Sequence, residues 1–207
     1  MQVHFGQNTS KSLQDKRCQL PRGVTSRLPN ADYSNQFSML SLGVVPALME
    51  IRQATAADLD AMWDIFQSVI AAGDAMPFSD DFDRETFRSH WFGVQPSWVA
   101  VAGSDVLGMY KLGANYPGLG DHVASATYVV HPAAQGRGIG RSLVQHSLAR
   151  AQSEGFLAMQ FNYVVSSNAP AVELYKKLGF AIVGTLPKAF RHKRLGLVDA
   201  YVMYRFL

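Results

Sequence analysis

The sequence predicts an α/β domain of the mixed α+β kind: a mostly antiparallel sheet flanked by helices. Three observations carry that expectation. From residue 49 onward, apolar runs of strand length alternate with stretches of helical spacing. Several strand-like runs follow one another through short turns, as antiparallel neighbours do. One stretch, residues 128–156, reads as strand, glycine-rich turn and helix in immediate succession.

Residues 1–48 show no sustained period and scatter Gln, Ser, Asn, Pro and Arg, which predicts a disordered N-terminal extension. The domain is expected over 49–207. Glu50 to Ala54 alternates polar and apolar residues like a strand, and Thr55 with Asp58 resembles a capping box with Asp in place of Glu. Leu59, Met62, Trp63, Phe66, Val69 and Ile70 keep helical spacing. Asp80, Asp81, Asp83 and Glu85 lead into a short second helix ending near Trp91, where acidic residues suit a helix start better than a metal site.

Trp98 to Val101 and Val106 to Leu112 flank a turn at Gly103-Ser104-Asp105 and read as a hairpin. After Asn115-Tyr116-Pro117-Gly118, Val123 to Val130 supplies a fourth strand. Gly140, Leu143, Val144, Ser147, Leu148 and Ala151 form one small-to-apolar stripe on the helix that follows, with Gly155 at its left-handed cap. Leu157 to Val164 is a fifth strand. Pro170 opens a short helix with Ala171, Leu174, Tyr175 and Leu178 on its inner face, and Gly179 closes it. Phe180 to Gly184 and Val198 to Arg205 are the last two strands, with Phe190-Arg191-His192-Lys193-Arg194 expected in the loop between them.

The glycine cluster lies at a helix N-terminus, where unpaired N–H groups and the helix dipole favour an anion. Glycine at 136, 138 and 140 removes Cβ atoms that would obstruct a phosphate and permits positive φ. Arg137 and Arg141 add charged donors beside it. A P-loop is excluded because no Gly-Lys-Ser/Thr is present, and a dinucleotide fingerprint fails because its third glycine would fall at Arg141.

Gln135-x-x-Gly138-x-Gly140 instead resembles the Q/R-x-x-G-x-G/A acyl-CoA signature of the GNAT superfamily of N-acetyltransferases. A second motif agrees: Asn168-Ala169-Pro170-Ala171-Val172-Glu173-Leu174-Tyr175-Lys176-Lys177-Leu178-Gly179-Phe180 is similar to the family's N-x-x-A-x-x-L-Y-x-K-x-G-F. The resemblance covers residues 49–207. It implies the GNAT fold, with the sheet splayed between its fourth and fifth strands, often at a bulge, and an acetyl-CoA-dependent transferase. Backbone groups of Tyr128, Val129 and Val130 would take the pantetheine arm. Residues 135–141, including Gly136 and Ile139, would hold the pyrophosphate. Asn168 would bond the arm and Tyr175 would be the general acid.

Many members carry a Glu on the fourth strand as base; here that strand has no carboxylate, so the base is unassigned. A more local resemblance links Asn115 to Gly118, the fourth strand and Phe161 to Val165 with yeast-type proline-analogue N-acetyltransferases. There an Asn matching Asn162 is tied to substrate polarisation or binding, and the group's fourth-strand Asn falls at Ser125. Tyr116 and Ser125 are accordingly expected near the acceptor, with Phe190 and Arg191 in the loop where family members shape its pocket. The resemblance implies a small-molecule amine or an amino acid, with a protein or peptide amine, or acyl-CoA sensing without catalysis, as the alternatives. No metal is implied, and a homodimer is compatible with the family.

Composition narrows the classes further. An apolar share of 48% in 207 residues suits one domain with a substantial core, and no run approaches a membrane span. A single cysteine, Cys18, leaves no disulfide framework within the chain and fits a reducing, cytoplasmic setting. The pI near 9.0 invites a nucleic-acid partner. Five cations against two acids within residues 1–48 account for the whole formal charge of +3, so the domain itself is neutral and nucleic acid is not expected. With no Cys in the domain to form an acyl-enzyme, direct transfer is expected.

Overall fold

The structure, a computed structural model, describes residues 49–207 apart from Asp80; the proposed N-terminal extension lies outside the described residues. The elements are β1 (Glu50–Gln53), α1 (Leu59–Ala72), α2 (Arg84–Trp91), β2 (Ser97–Ala102), β3 (Asp105–Ala114), β4 (Val123–Val130), α3 (Ile139–Ser153), β5 (Ala158–Val165), α4 (Ala169–Lys177), β6 (Ala181–His192) and β7 (Gly196–Phe206). They build a seven-stranded sheet in the order β1-β2-β3-β4-β5-β7-β6. Every pairing is antiparallel except β4 with β5.

The sheet separates two cores, as alternation along its strands demands. On one face Leu143, Val144, Leu148 and Ala151 of α3 pack with Val172 of α4 over Tyr110, Ala124, Met159 and Phe161. On the other, Met62, Ile65, Phe66 and Ile70 of α1 and Phe87 and Trp91 of α2 pack over Val99, Met109 and Val129. The stripe expected on α3 is buried from Leu143 to Ala151, Ser147 included, while Ile139 rather than the half-buried Gly140 begins it.

Helix ends follow local chemistry. The backbone N–H of Thr55 donates to Asp58 Oδ2 at 2.7 Å, and Arg52 clamps the same carboxylate at 2.7 and 2.8 Å. That guanidinium, and the N–H donors of Thr55, hold the Asp58 carboxyl down at about 2. Asp83 caps α2 by accepting from Thr86 N–H at 2.7 Å, so this acid does the work of a cap. Gly155 and Gly179 adopt φ of +85° and +88°. Behind them Phe156 N–H bonds Ala151 O, and Phe180 N–H bonds Tyr175 O, each at 3.0 Å. Both are Schellman closures, and the second pins the turn that carries Tyr175.

The two feature-setting irregularities sit at β5 and β6. β4 pairs with β5 only at Val123–Ala158 and Ala124–Met159; beyond that the strands part. β4 keeps unbroken register with β3 from Gly108–Val130 to Ala114–Ala124, so the bulge lies on β5, where register against β7 shifts between Phe161 and Val164. The last hairpin is longer than its sequence pattern indicates. Phe190, Arg191 and His192, expected in a loop, end β6 and pair with Val198, Leu197 and Gly196. Edge strand β6 is exposed over most of its length and is bent near Pro187 and Lys188, whose φ of +51° is held by its N–H donating to Asp199 Oδ1. Without a buried face it lacks the alternation that marks a strand.

Candidate active site

Where β4 and β5 separate, a cleft of about 760 Å³ passes between them. Such a gap follows from the topology: a parallel pair that stops after two residues leaves the facing N–H and C=O groups of both strands without ladder partners. Residues 125–130 and 161–165 line it from either side. An extended amide-bearing chain can add itself to such an edge by strand-like hydrogen bonds.

On the α3 and α4 side the cleft ends at Gln135, Gly136, Gly138, Ile139, Gly140 and Arg141, the first turn of α3 and the residues before it. Gly136 and Gly138 take φ of +73° and +83°, and a Cβ built on either meets no atom within 4 Å, so it would project into open space. Gly140 differs: it lies within the helix, and its Cβ would make ordinary contacts at 3.7 Å with Leu174 and Val130. The positive φ expected of all three glycines thus applies to two. With Gly138 as N-cap, the first hydrogen bond inside the helix runs from Ser142 N–H to Gly138 O at 3.1 Å, leaving the earlier N–H groups free for an anion. These residues fit a diphosphate through backbone donors, with Arg141 at the rim. Arg137 borders a separate groove of about 380 Å³ with Asp64, Asp105 and His131.

Asn168 caps α4, its Oδ1 accepting from Ala171 N–H at 3.3 Å, and lines the cleft. Its amide nitrogen has no hydrogen-bond partner among the described residues, which leaves it able to donate to a bound chain.

Two tyrosines stand side by side at the waist, with ring centroids 6.2 Å apart, and they are not equivalent. The Tyr128 hydroxyl is shared with Ser147 Oγ at 2.6 Å. Tyr175, seated against Phe161 at 4.6 Å, has no hydrogen-bond partner for its hydroxyl among the described residues. Burial pushes its phenol well above the usual tyrosine range. It therefore stays protonated through neutral pH and is able to act as a proton donor.

The opposite mouth opens toward α1 and α2. Ser125 and Thr127 alternate with Ala124, Ala126 and Tyr128 and so face this side, as Asn162 does relative to Phe161. Val69, Ala75, Met76, Pro77 and Phe78 form an apolar wall. The β6–β7 turn closes over the end of α1: Lys193 N–H donates to Gly73 O and Lys193 Nζ to Ala71 O, each at 2.9 Å. Tyr163 lines the cleft and bonds Ala189 O, tying it to β6.

Of the residues expected near the acceptor, Ser125 and Asn162 line the cleft and three do not. Tyr116 is exposed in the β3–β4 loop, Phe190 is buried beside Tyr163, and Arg191 is exposed on β6. Sequence reasoning missed Thr127, Tyr163 and the wall at 75–78, since a loop segment with no period carries no signal of what it covers. Among the described residues lining the cleft, none is Asp, Glu, His, Lys or Cys, and no group of three metal-ligating side chains stands together among the described residues.

A splayed sheet whose cleft joins an anion cradle to a phenol and an acceptor mouth defines an acyl-transferring domain. Comparison with known proteins agrees: the acetyltransferase (GNAT) family model matches residues 59–180, and the chain belongs to that family. N-acetyltransferase aca1 of Schizosaccharomyces pombe is 34% identical over 105 residues, 50% of this chain and 50% of that protein. The chain thus spans about half the length of that relative. Phosphinothricin N-acetyltransferase of Streptomyces viridochromogenes is 31% identical over 154 residues, 70% of this chain and 81% of that one. L-methionine sulfoximine/L-methionine sulfone acetyltransferase of Pseudomonas paraeruginosa is 30% identical over 146 residues, 67% of this chain and 83% of that one.

Among solved structures, a GCN5-related N-acetyltransferase from Kribbella flavida is 41% identical with a TM-score of 0.75, covering 77% of this chain and 98% of that one. The yncA acetyltransferase of Salmonella typhimurium, solved with its cofactor acetyl-CoA, is 25% identical with a TM-score of 0.68, covering 77% and 94%. No helix among the described residues is long and apolar enough to cross a membrane.

Proposed function

We propose that the protein transfers an acetyl group from acetyl-CoA to the amine of a small molecule or an amino acid, by direct attack within a ternary complex. The observation that carries this is the continuity of the cleft through the sheet, from the glycine turn at 136–140 on one face to Ser125, Thr127 and Asn162 on the other, with the Tyr175 hydroxyl, partnerless among the described residues, between them. The cofactor's diphosphate would rest on the N–H groups of residues 136–141 and its arm on the free edge of β4, with Asn168 donating to it. Tyr175 would give its proton to the departing sulfur. Positioning supplies most of the rate, because no nucleophilic thiol stands among the described residues of the cleft to carry the acetyl group.

The amine must attack as the free base, and among the described residues the lining offers no carboxylate or imidazole to deprotonate it. Relatives whose names carry phosphinothricin and methionine derivatives support a small acceptor. The test is calorimetric titration with acetyl-CoA, followed by thiol release across a panel of amines and amino acids. Binding with release on small amines is the expected result. No binding to folded protein overturns the reading, and release on peptides alone would redirect it to protein acetylation.

A further inference from the structure

Asn162 does not stand alone in the cleft. Its Nδ2 donates to Asn115 Oδ1 at 2.6 Å, while its Oδ1 accepts from Asn115 Nδ2 at 3.2 Å and from Gln160 Nε2 at 2.6 Å. Asn115 sits at the end of β3, 47 residues away in the chain, and is itself held by its backbone N–H donating to Val123 O at 2.8 Å. A carboxamide has two N–H donors and two lone pairs. This network uses both lone pairs of Asn162 and one of its N–H groups, so the capacity left for a ligand is a single donor.

From this we infer that Asn115 is a positioning residue that holds the Asn162 amide in place, with Gln160 setting its polarity, so that the remaining N–H is a donor which selects acceptors carrying an oxygen, carboxylate or carbonyl, close to the amine. An amide locked in this polarity does not accept from the attacking amine. It holds the atoms beside it. The wall of Met76, Pro77 and Phe78 provides the apolar surroundings for the remainder of such an acceptor, and in that setting an oxygen-accepting ligand group recovers a hydrogen bond that an acceptor without it leaves unmade. The inference rests on the acetyl-transfer reading and gives it a substrate class: α-amino acids and their amides ahead of bare amines.

The experiment compares three acceptors of one side chain: the amino acid turned over fastest in the panel, its carboxamide, and the amine left when the carboxyl group is removed. Wild-type protein is expected to favour the first two in kcat/KM by about tenfold, roughly the weight of one hydrogen bond, with the charged carboxylate ahead of the neutral carboxamide. Asn115→Ala should erase that preference by raising KM for the oxygen-bearing acceptors about tenfold, leaving kcat and the KM for acetyl-CoA within about twofold.

Asn115→Asp separates positioning from packing. A carboxylate beside the donor should penalise the amino acid more than its amide, whereas a merely structural role predicts the same change for both. Asn162→Asp, which removes the donor itself, should lose the preference as well. An unchanged preference in Asn115→Ala, an equal fall in kcat for all three acceptors, or a panel in which only amines without the oxygen react would each overturn the inference while leaving acetyl transfer intact. Failure of acetyl-CoA to bind would instead remove the reading beneath it.

Discussion

The two mouths of the cleft are built on different principles. On the α3 and α4 side, recognition is by main chain: two glycines at positive φ, a helix N-terminus and an unpaired strand edge, with Arg141 as the charged side chain of the lining. On the α1 and α2 side it is by side chains gathered from four distant segments, namely β3, β4, β5 and the loop after α1. A backbone site of the first kind serves any chain that keeps its glycines and its helix. The second kind is free to change residue by residue, so under the proposed function the first would take what is common to the family and the second what is particular to this member.

Several substitutions break or sharpen that contrast. Tyr175 belongs to both mouths, and Tyr175→Phe should lower kcat about 100-fold, at the low end for loss of a general acid, with acetyl-CoA affinity within about twofold by calorimetry. Unchanged turnover would remove it from the chemistry. Gly138→Val attacks the backbone site alone: a β-branched residue at φ +83° costs about 1–2 kcal/mol, and its Cβ enters the cradle, so acetyl-CoA Kd should rise about tenfold or more. Gly140→Ala, at a helical φ with 3.7 Å contacts, is the matched control and should bind like wild type.

Smaller effects belong to the acceptor side and to the frame. Lys193→Ala removes the bond to Ala71 O and should raise acceptor KM about threefold without moving acetyl-CoA Kd, one exposed hydrogen bond's worth. Asp58 lies in neither mouth. Its folded-state carboxyl titrates near 2 against an ordinary 3.8, so its contribution is present in full above pH 3.8 and lost as pH falls toward 2. Asp58→Asn should cost about 1 kcal/mol at pH 7, discounted because Arg52 is 38% exposed, and the difference in unfolding free energy should vanish near pH 2. His146 adds a second acid-sensitive step. Burial lowers its pKa from 6.5 while its Nδ1 shares a proton with buried Tyr110 Oη at 2.7 Å, so wild-type stability should begin to fall as pH drops below 6.5, and less so in His146→Gln.

The contrast between the mouths also explains what could be read from the chain beforehand. A backbone site leaves its signature in short stretches of chain: the turn glycines Gly136 and Gly138, the α3 stripe and the closing glycines Gly155 and Gly179 were legible, while the capping role of Asn168 was not. Helix starts were legible for the same reason, since Thr55 and Asp58 act within one turn of each other. The acceptor mouth was legible only at Ser125 and Asn162, because the rest of its geometry depends on pairings across the sheet. The bulge on β5 carries no glycine or proline, and Asn115 meets Asn162 only once β3 and β5 flank β4. The length of β6 was hidden by exposure, and by Pro187 and Lys188, which read locally as a turn. Which of the two parting strands carries the bulge was not legible either, since nothing in the sequence distinguishes a strand that bends away from one whose neighbour bends.

The bond from Lys193 to Ala71 spans 122 residues of sequence and, with the one to Gly73, ties the β6–β7 turn to the end of α1 from which the segment 74–78 departs. Neither is inherited usefully without the other. A chimera that imports one of them from a relative should come out mismatched, and acceptor selectivity should transfer only when both are exchanged together.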